Sequence, residues 1–373
     1  MTYASEWRSA HLEPVLGAEA FGGPGTDTDV ASEETPMTLT VKSLANFVRN
    51  PVKEFFRHRL QISFDDQSET TGDDESFASD GLDRWALLDE VLRESRRQLD
   101  AASPGAATGD ETDVAGIVQA QVARLKRAGR LPFAGPGQLV EAELNQTLVP
   151  MVARWQAALN QLSHARGKLP AQMHHPQTPT LVFDDWMVGL RSAEVDGEII
   201  WIDLQASKVA DQKGKSPPTL REDKLVTAWL RCLASAACGH PAQGIVIGAG
   251  AAVCVRPPPA AEARTVLAAL MSACLAGLRQ NRPTPTALQT GLAFLEDASK
   301  ARLAYDGSDF NPMPGEGKEA CLARLYPDFH TLSSNPEFET ATRLLYRPYR
   351  DWLSTHVQVE MLASTATVEG DTP

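Results

Sequence analysis

A chain of 373 residues, 43% hydrophobic and 22% charged, has an ordinary globular composition and enough length for two or three domains with real cores. A formal net charge of −13 argues against a nucleic-acid binder that works alone, which would carry a basic excess. No apolar run approaches the length of a bilayer span and Met1–Arg8 lacks the apolar core of a secretory signal, so neither membrane insertion nor secretion is expected.

The acidic excess is local. Residues 1–113 hold 23 acids and 10 bases, which leaves 25 of each among the chain's 48 acids and 35 bases. Much of it falls in Phe64–Asp83, which reads as a solvated acidic loop. The five cysteines (232, 238, 254, 274, 321) are odd in number and show no CxxC pair. They read as small buried hydrophobes in a reducing cytoplasm, with neither metal nor cofactor implied.

In chain order, residues 1–36 are rich in Gly, Pro, Thr and Asp and read as a linker or arm. A helical unit is expected over 37–130. Thr40 or Ser43 can cap a helix bearing Leu44, Phe47 and Val48; Asn50-Pro51 restarts it, and Val52, Phe55, Phe56 and Leu60 recur at helical spacing. Helices follow over 81–101, with Leu82, Trp85, Leu88 and Leu92 inward, and over 113–128, stopped near Gly129, with a loop over 102–111 between them.

An α/β core is expected over 131–283. A stiff turn precedes a helix over 138–162 containing Pro150. Strands follow over 180–183, 187–195 and 198–204, the last two joined at Asp196-Gly197, a strong hairpin signal. A lysine-bearing loop over 207–218, a helix over 220–238, strands over 244–247 and 251–255, and a helix over 259–278 complete a mixed sheet flanked by helices. A helical extension is expected over 284–373, with helices near 291–305, 318–326 and 336–352.

The stretch Thr38–Leu60, with its helix, Asn50-Pro51 step, aromatic pair and Arg59-Leu60 ending, resembles the RecC C-terminal domain family. Further pieces fit in order: His11-Leu12-Glu13-Pro14, Gly81-Leu82, Ala128–Pro132, the Gly189 hairpin, Trp229-Leu230, Cys238-Gly239, Leu344-Leu345 and Pro348. The resemblance covers roughly residues 10–355 and implies an α/β (α+β) fold with a PD-(D/E)XK-type nuclease-like core. It also implies a non-catalytic part in the exodeoxyribonuclease V helicase-nuclease, docking RecB-like and RecD-like subunits and guiding or splitting duplex or single-stranded DNA. Docking faces are expected on the aromatic helices over 40–62 and 335–354.

An active nuclease of this fold resembles Gly-x-x-Asp on one strand, Asp-x-Lys on the next and an acid on the preceding helix. Gly189-Leu-Arg-Ser192 puts serine at the first acid, and Asp203-Leu-Gln205 puts glutamine at the lysine; Glu141 stands for the helix acid. A hydroxyl and an amide are poor Mg²⁺ ligands beside a carboxylate, so Glu141, Ser192, Asp203 and Gln205 read as a degenerate site without metal. An alternative is an active Mg²⁺ nuclease using Glu141, Asp203 and Lys208; another is a purely structural protein, favoured if the surface around Lys208–Lys224 is neutralised by acids. Arg191, Lys208, Lys213, Lys215, Arg221 and Lys224 are candidate phosphate contacts. His174-His175 are adjacent, point to opposite sides of an extended segment, and read as a polar loop.

Overall fold

The computed structural model describes residues 36–64, 81–102, 113–193, 197–212, 214, 216–279, 282–308 and 314–362. The arm over 1–35 with His11–Pro14, most of the acidic loop after Phe64, the loop over 103–111, Asp196, Lys213, Lys215 and the Leu82 side chain lie outside the described residues.

After β1 (Met37–Leu39), Thr40 and Ser43 form a reciprocal capping box that starts α1 (Val41–Arg49). Asn50 then caps α2 (Pro51–His58), with Pro51 at a first-turn position where its missing N–H costs nothing. Leu60 falls beyond α2 and is exposed. α3 (Gly81–Ala102) buries Leu88 and Leu92 as expected, but Leu87 and Val91 complete its inner face and Trp85 is 45% exposed. α4 (Val114–Arg127) is capped by Asp113. α5 (Ala134–Asn160) starts before Gln138 and runs through Pro150.

Besides β1, the strands β2 (Leu162–Ala165) and β3 (Leu169–His174) were not anticipated. Leu169, Ala171 and Met173 do alternate, but Pro170 masks the pattern; β3 is an edge strand, where proline is tolerated. β4 (Leu181–Met187) and β5 (Leu190–Ala193) follow, separated at Gly189, whose φ of +69° suits glycine. β6 (Ile199–Leu204) completes the hairpin with β5. The lysine loop contains a short antiparallel ribbon, β7 (Ala210–Asp211) with β8 (Thr219–Leu220). Then come α6 (Glu222–Ala237), β9 (Ala242–Gly248), β10 (Ala251–Val255) and α7 (Ala260–Arg279). The C-terminal part holds α8 (Leu288–Glu296), α9 (Ala298–Asp306), α10 (Ala320–Leu325), α11 (Phe329–Ser333) and α12 (Phe338–Thr355). It closes with β11 (Val357–Met361), a further strand that the sequence reading lacked.

Six strands form the main sheet in the order β11-β10-β9-β6-β5-β2. β6 and β9 are parallel, and the other pairs are antiparallel. A parallel pair needs a long crossover, and α6 lies within it. A second sheet, β1-β4-β3, pairs β1 in parallel with β4.

Strand alternation sends side chains into two cores. Trp201, Val246, Val253 and Val255 pack with α1, α6, α7 and α12. Ile202, Leu204, Ile245, Ile247 and Ala252 pack beneath α5, which in turn holds α3 and α4. A third cluster joins Phe55 and Phe56 of α2 to Tyr305, Leu322 and Phe338. The aromatics expected on docking faces over 40–62 and 335–354 instead turn inward: Phe47, Tyr346, Tyr349 and Trp352 are core residues. α7 has the length and apolar composition to cross a membrane, but its Ala263, Leu267, Leu270, Met271 and Cys274 are buried in the core.

Candidate functional site

Trp201, Asp203 and Gln205 alternate onto the α6 side of the sheet and line a cleft of about 530 Å³. Trp201 lies over Gly244, its partner on β9; a Cβ there would overlap the indole. From α6, Arg231 stacks its guanidinium 4.3 Å from the Trp201 ring centroid and donates to the Val188 carbonyl at 2.8 Å. Burial pushes Arg231 below its ordinary pKa, and the Asp203 carboxylate is the strongest charge acting against that shift. Arg231 and Asp203 thus line the same cleft without an ion pair between them among the described contacts.

Three bases (Arg49, Lys224, Arg231) and three acids (Asp203, Asp223, Glu316) line the cleft. Arg49 donates to Thr227 Oγ1 at 2.7 Å, and burial lowers its pKa despite nearby Tyr349 and Asp223. Lys224 pairs with Asp223 at 3.0 Å. Glu316 accepts from Gln289 N, Thr290 N and Thr290 Oγ1, closing the N-terminus of α8, whose own N-cap residue Ala287 offers no side-chain acceptor. Burial raises Glu316, while the hydrogen bonds from Thr290 and its neighbours oppose the rise. Trp201 Nε1 and Gln205 Nε2 are buried at the cleft without a protein partner.

The remaining sequence candidates lie elsewhere. Glu141 sits on α5, across the sheet from the Asp203 face, and pairs with Lys126 at 2.7 Å. Ser192 faces Ile199 across the hairpin, four residues along β6 from Asp203, or roughly 13 Å at strand rise. Lys208 pairs with Asp211 at 3.4 Å, and Arg221 pairs with the same carboxylate at 2.6 Å. Those bonds hold Asp211 below its ordinary pKa even though desolvation acts the other way. The structure thus gathers Asp203, Gln205 and Lys224, and leaves Glu141, Ser192, Lys208 and Arg221 outside the cleft. Arg191 lies on the opposite face of β5, beside Arg166.

Among the described residues, no group of three or more His, Cys, Asp or Glu side chains is arranged to hold a metal ion. The cleft residues do not suit Mg²⁺, which asks for carboxylate oxygens in an octahedron. Here Asp223 and Glu316 are already bonded, and no group of three described acids, histidines or cysteines gathers around Asp203. His175 is buried rather than looped out: its Nδ1 accepts from Gln177 N and Thr178 N, and its Nε2 meets Ser272 Oγ at 2.8 Å. Burial pushes the thiols of all five cysteines up. Sequence reasoning missed Arg231, although a lone arginine inside the apolar run Leu225–Ala237 was a usable signal.

These features define a mixed α/β domain built around a sheet-end cleft whose charges are matched internally. The RecC C-terminal domain model matches residues 36–299, and the chain belongs to that family. It is 26% identical over 138 residues to the RecBCD enzyme subunit RecC of Escherichia coli (strain K12), covering 37% of this chain and 10% of that protein. It is 40% identical over 54 residues to the same subunit of Haemophilus influenzae, covering 14% of this chain and 5% of that protein. The matched stretches thus span a tenth or less of those relatives.

Proposed function

We propose that this chain is a nuclease-like domain of the PD-(D/E)XK type without nuclease chemistry, serving in a helicase-nuclease complex that processes DNA double-strand breaks. Its role is to dock RecB-like and RecD-like subunits and to guide or split DNA. Family membership and the names of the two RecC relatives support the complex. One observation carries the non-catalytic reading: Asp203 lies in the cleft with glutamine, not lysine, two residues on, and among the described residues no group of three His, Cys, Asp or Glu is placed to hold a metal. Gln205 beside it offers no charge to an attacked phosphate.

The alternative, catalysis by Glu141, Asp203 and Lys208, draws on an acid across the sheet and a lysine bonded to Asp211. The purely structural alternative gains from the acid-paired Lys208, Arg221 and Lys224, but those pairs leave Arg191 untouched. The test is a cleavage assay of the full chain on labelled single- and double-stranded DNA with Mg²⁺ or Mn²⁺. The expected rate equals that of Asp203→Ala. Cleavage by the parent chain that disappears in Asp203→Ala overturns the reading.

A further inference from the structure

On the sheet face opposite the Asp203 cleft, a cavity of about 150 Å³ is lined by Arg96 of α3, Arg166 after β2 and Arg191 of β5. Its floor is Trp155 and Ile202, residues of the α5-side core. No carboxylate lines it, and no described carboxylate pairs with Arg166 or Arg191. This contrasts with the Lys208–Lys224 stretch, where each described base has an acid. Arg96 has a partner of its own, but Arg166 and Arg191, two like charges at one small concavity, raise its potential and favour an anion.

Backbone pairing fixes the arrangement. Ala165 is in register with Arg191, and Arg166 N donates to Leu190 O at 2.8 Å. Two residues beyond Arg166, Lys168 Nζ sits 4.4 Å from the centroid of the Trp186 ring. Trp186 as a whole residue is 51% exposed, although most tryptophans are largely buried. Guanidinium forks match phosphate oxygens, and an exposed indole is a platform for an unpaired base.

We infer that the β2–β5 edge of the main sheet, together with the neighbouring strand β4, is a contact site for single-stranded nucleic acid, with a backbone phosphate between Arg166 and Arg191 and a neighbouring base on Trp186. The inference rests on the proposed DNA role and assigns it a surface. On binding, Lys168 leaves the Trp186 ring, freeing that face for the base, and meets the phosphate of the stacked nucleotide. With so few phosphates engaged, binding is weak and salt-sensitive, with a log–log salt slope on the order of −2.

The experiment is fluorescence anisotropy of labelled oligothymidylate with the full chain at low salt. Arg166→Glu and Arg191→Glu are each expected to weaken binding about tenfold and to make the salt slope shallower by roughly 0.7 for each phosphate no longer neutralised. Trp186→Ala weakens the oligonucleotide at least about fivefold yet leaves competition by inorganic phosphate unchanged. Lys300→Ala, an exposed lysine bonded to Glu296, changes neither. Arg166 and Trp186 are exposed, so their variants retain the fold. Unchanged affinity in the two arginine variants overturns the site while leaving the DNA role standing. Absence of binding to single strands and duplex alike overturns both. Displacement of the oligonucleotide by oligoglutamate at equal concentration reassigns the cavity to an acidic protein segment and also overturns the inference. The non-catalytic reading is judged separately, by cleavage.

Discussion

Glu316 shows how two opposing effects compete at one carboxylate. Helix-terminal N–H groups favour its charge, because α8 presents its positive end and unsatisfied donors there. Enclosure disfavours the charge, and enclosure is the larger effect, so the folded-state pKa is raised. The sign then follows from linkage. A raised pKa means that the contribution to stability is complete below the unfolded carboxylate value, near about 4.3, and is lost as pH rises through the folded value. Glu316→Gln keeps an acceptor oxygen and removes the titration. The variant should therefore gain on the parent chain in urea midpoint as pH rises from roughly 4 to 7. If the parent gains instead, the α8 amides outweigh enclosure and the assignment of cause is reversed. Residue identity alone concealed this site, because Glu316 lies 28 residues beyond Leu288 and reaches α8 only through the chain's return. Arg231 was more legible, since a charge within Leu225–Ala237 must find a partner or a ring when that helix is buried.

Among elements, the pairing of β6 with β9 does most to form the cleft floor. Trp201 can lie flat because its partner is Gly244, and Arg231 closes over the indole from α6. Gly244→Ala would force the indole out of this slot at a cost of about 1–3 kcal/mol, as overpacked cores generally show. We expect a lower melting temperature together with a changed near-ultraviolet tryptophan signal; an unaltered melt would mean that the ring has room to retreat. Much of this level could be read from sequence. Thr40 and Asn50-Pro51 announced α1 and α2, and the apolar alternation of Ile200, Ile202 and Leu204 announced β6. β3 was hidden by Pro170, whereas β11, with Val357, Val359 and Met361 inward and Gln358 and Glu360 outward, carried a legible period-2 pattern that the sequence reading passed over. The register of β5 against β6 was not legible at all. It sets Ser192 against Ile199, and pattern matching along the chain cannot see cross-strand position.

Across the whole molecule, the six-stranded sheet is a floor shared by two cores. Successive residues of β6, β9 and β10 alternate between them: Trp201 with Ile202, Ile245 with Val246, Ala252 with Val253. Neither core can be dismantled without stripping one face of the same strands, so their stabilities are coupled even though α3–α5 and α6, α7, α12 lie on opposite sides. Trp155→Ala removes a buried aromatic from the α5 side and should cost roughly 3–5 kcal/mol. Leu267→Ala on α7 should cost about 2–5 kcal/mol on the other side. If the sheet couples the cores, each substitution shifts one common urea transition, seen at the same midpoint by far-ultraviolet circular dichroism and by tryptophan fluorescence. Two separated transitions, with Trp155→Ala moving one and Leu267→Ala the other, would show that the strands hold together while either helical layer melts alone. That result would also free the arginine cavity, which stands on Trp155, from any dependence on the Asp203 cleft.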